Sequence, residues 1–245
     1  MPLDSMLDLP WERRVPTPKL LRTCLDTEIY HRLPDDHRKR VDDGTCRFLE
    51  QVEILGIADH RLTVHEAVRV AFSCAVLYAG RPEWEFPPKL SVRISPLDLD
   101  DRILPCAEGD WGGWTLPRTA EVWMSRKAVD FSFRSADSYH TPIHEFAHVL
   151  DFGILEPGRK ADGIPRDLGL FRRGAWLATL ARVRKRVEEA AAEQVVKRYA
   201  AKSPAEAFAC VVEAFFEQPG ALRGWDGALY RMLSEFLNQD PARDG

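Results

Sequence analysis

Residues 144–148 read His-Glu-Phe-Ala-His, inside an apolar stretch that predicts a helix from about 142 to 152. On a helix, positions i and i+4 lie one above the other, so His144 and His148 present both imidazoles to one point. Glu145 is one position further round the helix and can reach a water bound at that point. The spacing predicts a metal site with two histidine ligands and Glu145 as general base.

The histidine pair allows two interpretations. Both imidazoles could be core side chains that are satisfied by hydrogen bonds alone, because buried polar groups need partners. The alternative is a catalytic zinc site, which keeps one position open for a water and lowers the pKa of that water to about 7. Glu145 stands where the general base is needed, so the pattern favours this second interpretation, with one Zn²⁺ per chain.

A third ligand is expected from residues 203–217, which form an apolar helical pattern with glutamates at 206 and 213. Glu206 and Glu213 are seven residues apart and therefore share a face. Ser203 and Glu206 also fit a capping box, in which Glu206 closes the helix end and Glu213 binds the metal. The spacing alone leaves the choice between the two glutamates open.

Two other side chains near the motif are weaker candidates. Asp151 follows His148 by three residues, and we expect it to orient a histidine rather than to bind the metal. An exposed helix end is the alternative for Asp151. His140 precedes His144 by four residues, but Pro142 belongs in the first helical turn, which places His140 at the helix start or outside it.

Apolar periodicity in the rest of the chain predicts an α+β fold, mainly helical with a small mixed sheet. Thr63 and Glu66 form a capping-box pattern that begins a helix reaching Leu77. Two strands are expected, at 90–94 and 121–124. The glycines between them indicate loop positions: Gly109, Gly112 and Gly113. The other helices are predicted at about 35–55, 168–199, 204–217 and 227–238.

Proline enrichment divides the chain into two parts. Residues 1–30 contain Pro2, Pro10, Pro16 and Pro18, which predicts an extended N-terminal arm. Residues 31–245 are predicted to form one domain, with the metal site between the sheet and the helices.

Composition excludes several classes of protein. The formal net charge of −4 argues against a nucleic acid partner, because phosphate binding usually needs a basic face. No apolar run approaches the ~20 residues of a membrane span, and the first residues do not resemble a secretory signal. Five scattered cysteines without a CxxC pair argue against disulfides and thiolate zinc clusters, so the cytoplasm is the expected compartment.

Three segments resemble the Mlc titration factor A family of zinc peptidases. They are His144–Asp151 followed by Ala161–Pro165, Ser203–Glu217, and the tail from Leu229 to Pro241. The resemblance covers roughly residues 33–241, and the core also resembles the protease domain of anthrax lethal factor. It implies a gluzincin-like core, zinc bound by the two histidines and Glu206, and an oxyanion-stabilising role for Tyr199. It also implies aminopeptidase-type activity on small peptides, and in the founding group binding to a transcriptional repressor.

The sequence departs from the family pattern at three places. These are Val122–Ser125, Tyr139–Ile143 and an insertion at 152–160. The metal-binding residues are intact, whereas the substrate preference and any shared partner need not carry over.

Taken together, the residues favour a zinc metallopeptidase acting on a peptide substrate, with the strand at 121–125 expected to hold extended peptide by strand addition. The alternative is a non-catalytic regulatory protein that sequesters a transcription factor. Glu145 weighs against it, because a structural metal site needs no base. A structural zinc module is disfavoured as well, because it usually has four protein ligands and no cysteine lies near this motif.

Overall fold

The computed structural model describes residues 9–10, 16–99, 112–116, 119–134, 136–152, 162–165, 172–190 and 195–243. Its strands are β1 (Leu9–Pro10), β2 (Glu53–Gly56), β3 (Ser91–Ser95), β4 (Gly113–Leu116) and β5 (Glu121–Ser125). Its helices are α1 (Pro18–Cys24), α2 (Glu28–Arg32), α3 (Asp35–Gln51), α4 (Val64–Tyr78), α5 (Arg126–Ser132), α6 (Thr141–Phe152), α7 (Arg173–Glu188), α8 (Pro204–Glu217), α9 (Pro219–Trp225) and α10 (Gly227–Leu237), with a 3₁₀ helix at Arg198–Ala201. Predicted features at Gly109, 153–160, 168–171 and 191–194 lie outside the described residues.

The strands form one mixed sheet in the order β1-β2-β3-β5-β4. The three inner strands are parallel, and β1 and β4 pair antiparallel to their neighbours. This confirms the α+β prediction of a mainly helical fold with a small mixed sheet. The sequence missed β4 and placed Gly113 in a loop. A short strand that begins with glycine has little β-propensity of its own, and its pairing with β5 decides the conformation.

Helices α3 and α4 pack against each other, and their shared core reaches the histidine motif, where the Phe48 ring lies 5.6 Å from the Phe146 ring. The predicted capping box is confirmed: Thr63 Oγ1 accepts from the Glu66 N–H, and the Glu66 carboxylate accepts from the Thr63 N–H. The predicted helix at 35–55 is wrong at its end, because α3 stops at Gln51 and Val52 already has extended backbone angles. Buried apolar residues at 54 and 55 fit a helix or a strand equally, and parallel pairing with β3 selects the strand.

The N-terminal segment is helical from residue 18, so the prediction of an extended arm is wrong there. Thr17 and Thr27 cap α1 and α2 through their side chains, and Pro18 occupies the first helical position, where its missing N–H costs nothing. Leu25 is completely buried, which anchors this segment to the core. The division at residue 30 stays a prediction.

Helices α6 and α8 pack face to face and carry the histidine motif and the two candidate glutamates. Helix α6 also contacts α4, α5, β4 and β5, and α8 is buried along most of its length. The predictions for α6, α8 and α10 are correct to within one residue. The single helix predicted at 168–199 is wrong, since α7 ends at Glu188 and a separate 3₁₀ helix follows. None of the described helices is long and apolar enough to cross a membrane.

Residues 162–165 join α6, α7 and α8 through one glycine. Gly163 has a φ of +73°, and a Cβ there would lie 2.3 Å from the Pro204 carbonyl oxygen. Its N–H donates to Asp151 Oδ2 at 2.9 Å, and its carbonyl accepts from Trp176 Nε1 at 2.6 Å. Only glycine combines this backbone angle with such a close approach to α8.

A buried carboxyl group at the end of α8 secures the residues that lead into α6. Glu217 is 3% exposed, and its Oε2 accepts from the Asp137 N–H at 3.1 Å. Burial and the nearby Asp137 charge raise the pKa of Glu217 from 4.5 to about 8. The folded chain therefore holds a proton that the unfolded chain has lost between these two values. Stability consequently falls as the pH rises from about 4.5 to about 8.

Replacing Glu217 by glutamine should remove this pH dependence. We expect Glu217→Gln to be more stable than the wild type at pH 9, on the order of 2 kcal/mol, because the amide needs no ionisation. Urea unfolding at pH 5 and pH 9 measures the effect. Glu188→Gln, an exposed change on α7, is the matched control and should leave the difference between the two pH values intact. An equal loss of stability in wild type and Glu217→Gln would refute the assignment.

Candidate metal centre

The histidine motif opens into a cleft of about 750 Å³. The walls come from β4, α6, the 3₁₀ segment and the first turn of α8. His144, Glu145, His148, Tyr199 and Glu206 all line this cleft, so the structure brings the predicted site residues together.

Three side-chain atoms converge on one point of the cleft. His144 Nε2 and His148 Nε2 are 3.2 Å apart, and Glu206 Oε2 lies 3.0 Å from the first and 3.3 Å from the second. Ligands of a tetrahedral zinc ion, at bonds of about 2.0–2.1 Å, are separated by roughly 3.3 Å. The three atoms form one face of such a tetrahedron, so their spacing fits a metal of this size.

Glu206 does not close the capping box that its sequence allows. Ser203 Oγ accepts from the Glu206 N–H at 3.2 Å, so the serine half of the box is present. The Glu206 carboxylate turns instead to the two imidazoles. In the complete box at Thr63, the carboxylate of Glu66 returns to the threonine N–H at 2.7 Å. Glu206 therefore occupies a capping position in sequence while its charge faces the histidines.

Glu213 lies on the opposite side of the His144 ring and is fully buried. Its Oε2 is 2.9 Å from His144 Nδ1, and its Oε1 accepts from the His140 N–H at 3.0 Å. Lys197 Nζ lies 2.7 Å and 2.6 Å from the two carboxylate oxygens. Burial favours the neutral acid, but Lys197 and His144 more than offset it and hold the pKa of Glu213 below its ordinary value.

This arrangement determines which nitrogen of His144 carries a proton. Nδ1 donates to the Glu213 carboxylate, so the neutral ring has its lone pair on Nε2. That lone pair faces the anionic oxygen of Glu206 at 3.0 Å, which is unfavourable unless a cation lies between them. Without a metal the cation is a proton: burial opposes it, but the Glu213 charge raises the pKa of His144 well above 6.5. The donor set therefore fits a metal ion.

A second group of potential ligands, His144, Cys210 and Glu213, lies behind the first and is fully buried. The Lys197 ammonium already neutralises Glu213 at salt-bridge distance. A metal ion there would stand beside a buried ammonium group, which the Coulomb energy opposes. We assign no metal to this group.

Glu145 is held by two residues of β4. Thr115 Oγ1 donates to Glu145 Oε2 at 2.7 Å and lies 3.1 Å from the Glu145 carbonyl oxygen. A Cβ on Gly113 would stand 2.6 Å from Glu145 Oε1, so the carboxylate rests against this glycine. Burial raises the pKa of Glu145, and the charges of the two imidazoles and the Thr115 hydrogen bond offset part of the rise. A base with a raised pKa accepts a proton more readily near neutral pH.

The remaining candidates occupy defined places. Tyr199 is half-buried, and its ring lies 6.1 Å from the His144 ring. Burial and the charge of Glu206 raise the pKa of Tyr199, so its phenol stays protonated and can donate a hydrogen bond. His140 caps α6, because its Nδ1 accepts from the Ile143 N–H at 3.3 Å. Asp151 is fully buried and binds the Gly163 N–H. Its suggested role in orienting a histidine stays a prediction.

The sheet order corrects the prediction that the strand at 121–125 holds an extended peptide by strand addition. Strand β5, which contains Glu121–Ser125, lies between β3 and β4 and uses both of its edges. Strand β4 is the outer strand among those described, and Gly113, Trp114 and Thr115 line the cleft. Sequence reasoning missed β4 and with it Thr115. The paired glycines at 112 and 113 were the available signal, whereas nothing in the local sequence marked Lys197.

Comparison with known proteins agrees with this geometry. The family model described as glucose-regulated metallo-peptidase M90 matches residues 11–238. The chain belongs to this family. Relatives named Mlc titration factor A include one from Klebsiella pneumoniae (strain 342), 26% identical over 96% of this chain and 87% of its own length. Others from Cronobacter sakazakii and Serratia proteamaculans are 25% and 24% identical over 97% and 96% of this chain, and 88% and 94% of their own lengths. The resemblance seen in the sequence is thereby confirmed.

Membership in a metallopeptidase family implies a metal ion, and the described residues offer one set of ligand atoms open to a cleft.

The two candidate glutamates should respond differently when each is replaced by glutamine. Glu206→Gln removes the anionic oxygen from the metal face while keeping a residue that suits the capping position, so the apo protein should melt near the wild-type temperature. Its affinity for Zn²⁺ should fall by more than ~100-fold.

Glu213→Gln should behave in the opposite way. Its effect on Zn²⁺ affinity should be about tenfold, as expected for a group that orients a ligand. The apo protein should melt at a lower temperature, because the buried Lys197 loses its counter-charge. Zinc titration against a competing chelator and melting of the apo proteins measure both quantities. A larger loss of affinity in Glu213→Gln than in Glu206→Gln would reverse the assignment.

Proposed function

We propose that this chain is a zinc-dependent metallopeptidase in which His144, His148 and Glu206 hold the ion. The observation that supports this most is the triangle of ligand atoms, which opens into a cleft beside the Glu145 carboxylate. A bound zinc ion supplies a polarised carbonyl and a water of lowered pKa. Zinc rather than another metal is favoured by two imidazoles and one carboxylate around an open position.

Glu145 is the proposed general base and general acid. Its carboxylate takes the proton of the attacking water and later returns it to the leaving amine. Thr115 and Gly113 limit the positions that the carboxylate can adopt, since one oxygen is hydrogen-bonded and the other rests against backbone. Holding the base in one orientation reduces the entropy lost on reaching the transition state.

Tyr199 is the proposed donor to the oxyanion that develops on the scissile carbonyl. Its phenol keeps its proton because burial and nearby carboxylates raise its pKa. The side chain lies in the cleft beside His144. The outer edge of β4 is the proposed site for an extended peptide, whose backbone would add to the sheet.

Aminopeptidase action on small peptides is part of this proposal and comes from the family resemblance. The relatives' name, Mlc titration factor A, suggests a repressor protein as a further partner. A purely regulatory role as a binding protein is the second candidate; the positioned Glu145 favours catalysis over it. A cytoplasmic location belongs to the same proposal, because the four described cysteines are free thiols.

Glu145→Gln separates catalysis from binding. The amide keeps the shape of the side chain but cannot accept the proton of the water, so turnover should fall by at least ~100-fold. Zinc content should stay at one equivalent, because Glu145 is not a proposed ligand. A peptide library assayed with wild type and variant, together with metal analysis, gives the answer. Cleavage at the wild-type rate by Glu145→Gln would remove Glu145 from the mechanism and leave the regulatory role as the stronger candidate.

Thr115→Val tests the hydrogen bond that holds the base. Valine matches the shape of threonine and suits a strand, but it cannot donate to Glu145 Oε2. We expect kcat to fall by roughly tenfold, the effect of losing a supporting hydrogen bond to a catalytic group. Thr115→Ser keeps the hydroxyl and should retain most of the activity. If valine and serine behave alike, packing rather than the hydrogen bond accounts for the role of Thr115.

A further inference from the structure

One wall of the cleft carries three cations. Lys197, Arg198 and Lys202 come from a single short segment around the 3₁₀ helix, and all three line the cleft. Lys197 is turned inward and balanced by Glu213. Arg198 and Lys202 are exposed. The Lys202 ammonium lies 5.1 Å from the centre of the Tyr199 ring and 3.2 Å from its hydroxyl, which places this charge beside the proposed oxyanion donor.

The described lining of the cleft carries fewer carboxylates than cations, and the proposed function already uses them. Among the described lining residues, only Glu145 and Glu206 are acidic. In the proposed function one of them is the base and the other a ligand of a divalent ion. Neither is then available to hold the α-ammonium of a peptide or a basic side chain. With the ion bound, the charges of the described lining favour an anion over a cation.

We propose that this cleft selects short peptides that carry a carboxylate close to the scissile bond, held by Arg198 and Lys202. The inference rests on the proposed peptidase function and names its substrate class. Arginine can engage a carboxylate through two parallel N–H donors, while lysine contributes a mobile point charge. The carboxylate is either the C-terminus of a small peptide or an acidic side chain.

This selection gives a physical basis for action on small peptides. In a dipeptide or tripeptide the C-terminal carboxylate lies within one or two residues of any bond that is cut. In a long chain the same position holds a neutral amide unless the residue is acidic. The cations on the wall next to Tyr199 therefore favour short or acidic substrates, while no acidic side chain of the described lining is left to anchor the N-terminus.

The test compares matched peptides on the zinc-loaded protein. Trialanine against its C-terminal amide isolates the terminal carboxylate. An amidated peptide ending in glutamate, against the same peptide ending in glutamine, isolates a side-chain carboxylate. The variants are Arg198→Gln, Lys202→Gln and their combination, with Lys185→Gln as control, because Lys185 is an exposed lysine on α7 whose nearest acid is Glu189 at 3.8 Å. Rates are measured at low and high salt.

We expect the wild type to prefer a carboxylate peptide over its neutral partner in kcat/KM, mainly through KM. Each single substitution should reduce the preference by roughly two- to fivefold at low salt, the range of exposed ion pairs, and the double substitution should reduce it further. High salt should reduce it too. Lys202→Gln can also slow every peptide alike through Tyr199, but that change leaves the ratio between matched peptides untouched.

Two results would overturn the inference. One is a wild-type enzyme that cleaves the amide as well as or better than the acid in both pairs. The other is a preference that survives the double substitution or is lost equally in Lys185→Gln. Calorimetry also measures the binding of the same peptides to zinc-loaded Glu145→Gln. If the wild type cleaves nothing, the proposed function fails, whereas the carboxylate preference is still decided by these binding constants.

Discussion

The buried carboxylate of Glu213 is the constraint on which the site depends. A charge without access to water is tolerated only when it is paired and hydrogen-bonded. The Glu213 carboxylate accepts hydrogen bonds from three donors, which are His144 Nδ1, the His140 N–H and Lys197 Nζ. These three donors belong to the start of α6 and to the segment before the 3₁₀ helix, while Glu213 belongs to α8. One side chain thus sets the distance between three elements and fixes the tautomer that leaves His144 Nε2 available to a metal.

The segment from 197 to 203 joins the candidate metal centre to the wall of the cleft that carries Lys197, Arg198 and Lys202. Lys197 points inward to Glu213, while the side chains of Tyr199 and Lys202, three residues apart, meet at the cleft. In a 3₁₀ helix residues i and i+3 lie directly above one another, so this short element places a phenol and an ammonium group side by side. Ser203 then begins α8 and brings Glu206 to the imidazoles. The positions of Glu206 as the proposed ligand, Tyr199 as the proposed oxyanion donor and the cations are therefore linked through a few covalently adjacent residues.

The sequence predicted the local features of this site and missed the long-range ones. The i, i+4 histidines, the span of α8 and the serine cap follow from helical geometry, which needs only neighbouring residues. The choice between Glu206 and Glu213 did not follow, because seven residues make nearly two turns and both carboxylates lie on the face towards α6. Thr63–Glu66 and Ser203–Glu206 have the same capping pattern, yet one carboxylate returns to its own cap and the other does not. Only the proximity of α6 explains the difference, and that proximity is a tertiary contact.

Strand β4 shows why the sheet matters to the chemistry as well as to the fold. Gly113 and Thr115 are two residues apart and so share the face towards Glu145, one by lacking a side chain and the other by donating a hydrogen bond. The other face of the sheet packs Trp114 and Leu116 against the cluster around Trp123. A shift of one residue in the pairing of β4 with β5 would exchange these two faces. It would place a tryptophan against Glu145 and remove the hydrogen bond that Glu145 accepts from Thr115. The apolar cluster on the far side of the sheet therefore keeps Glu145 in position.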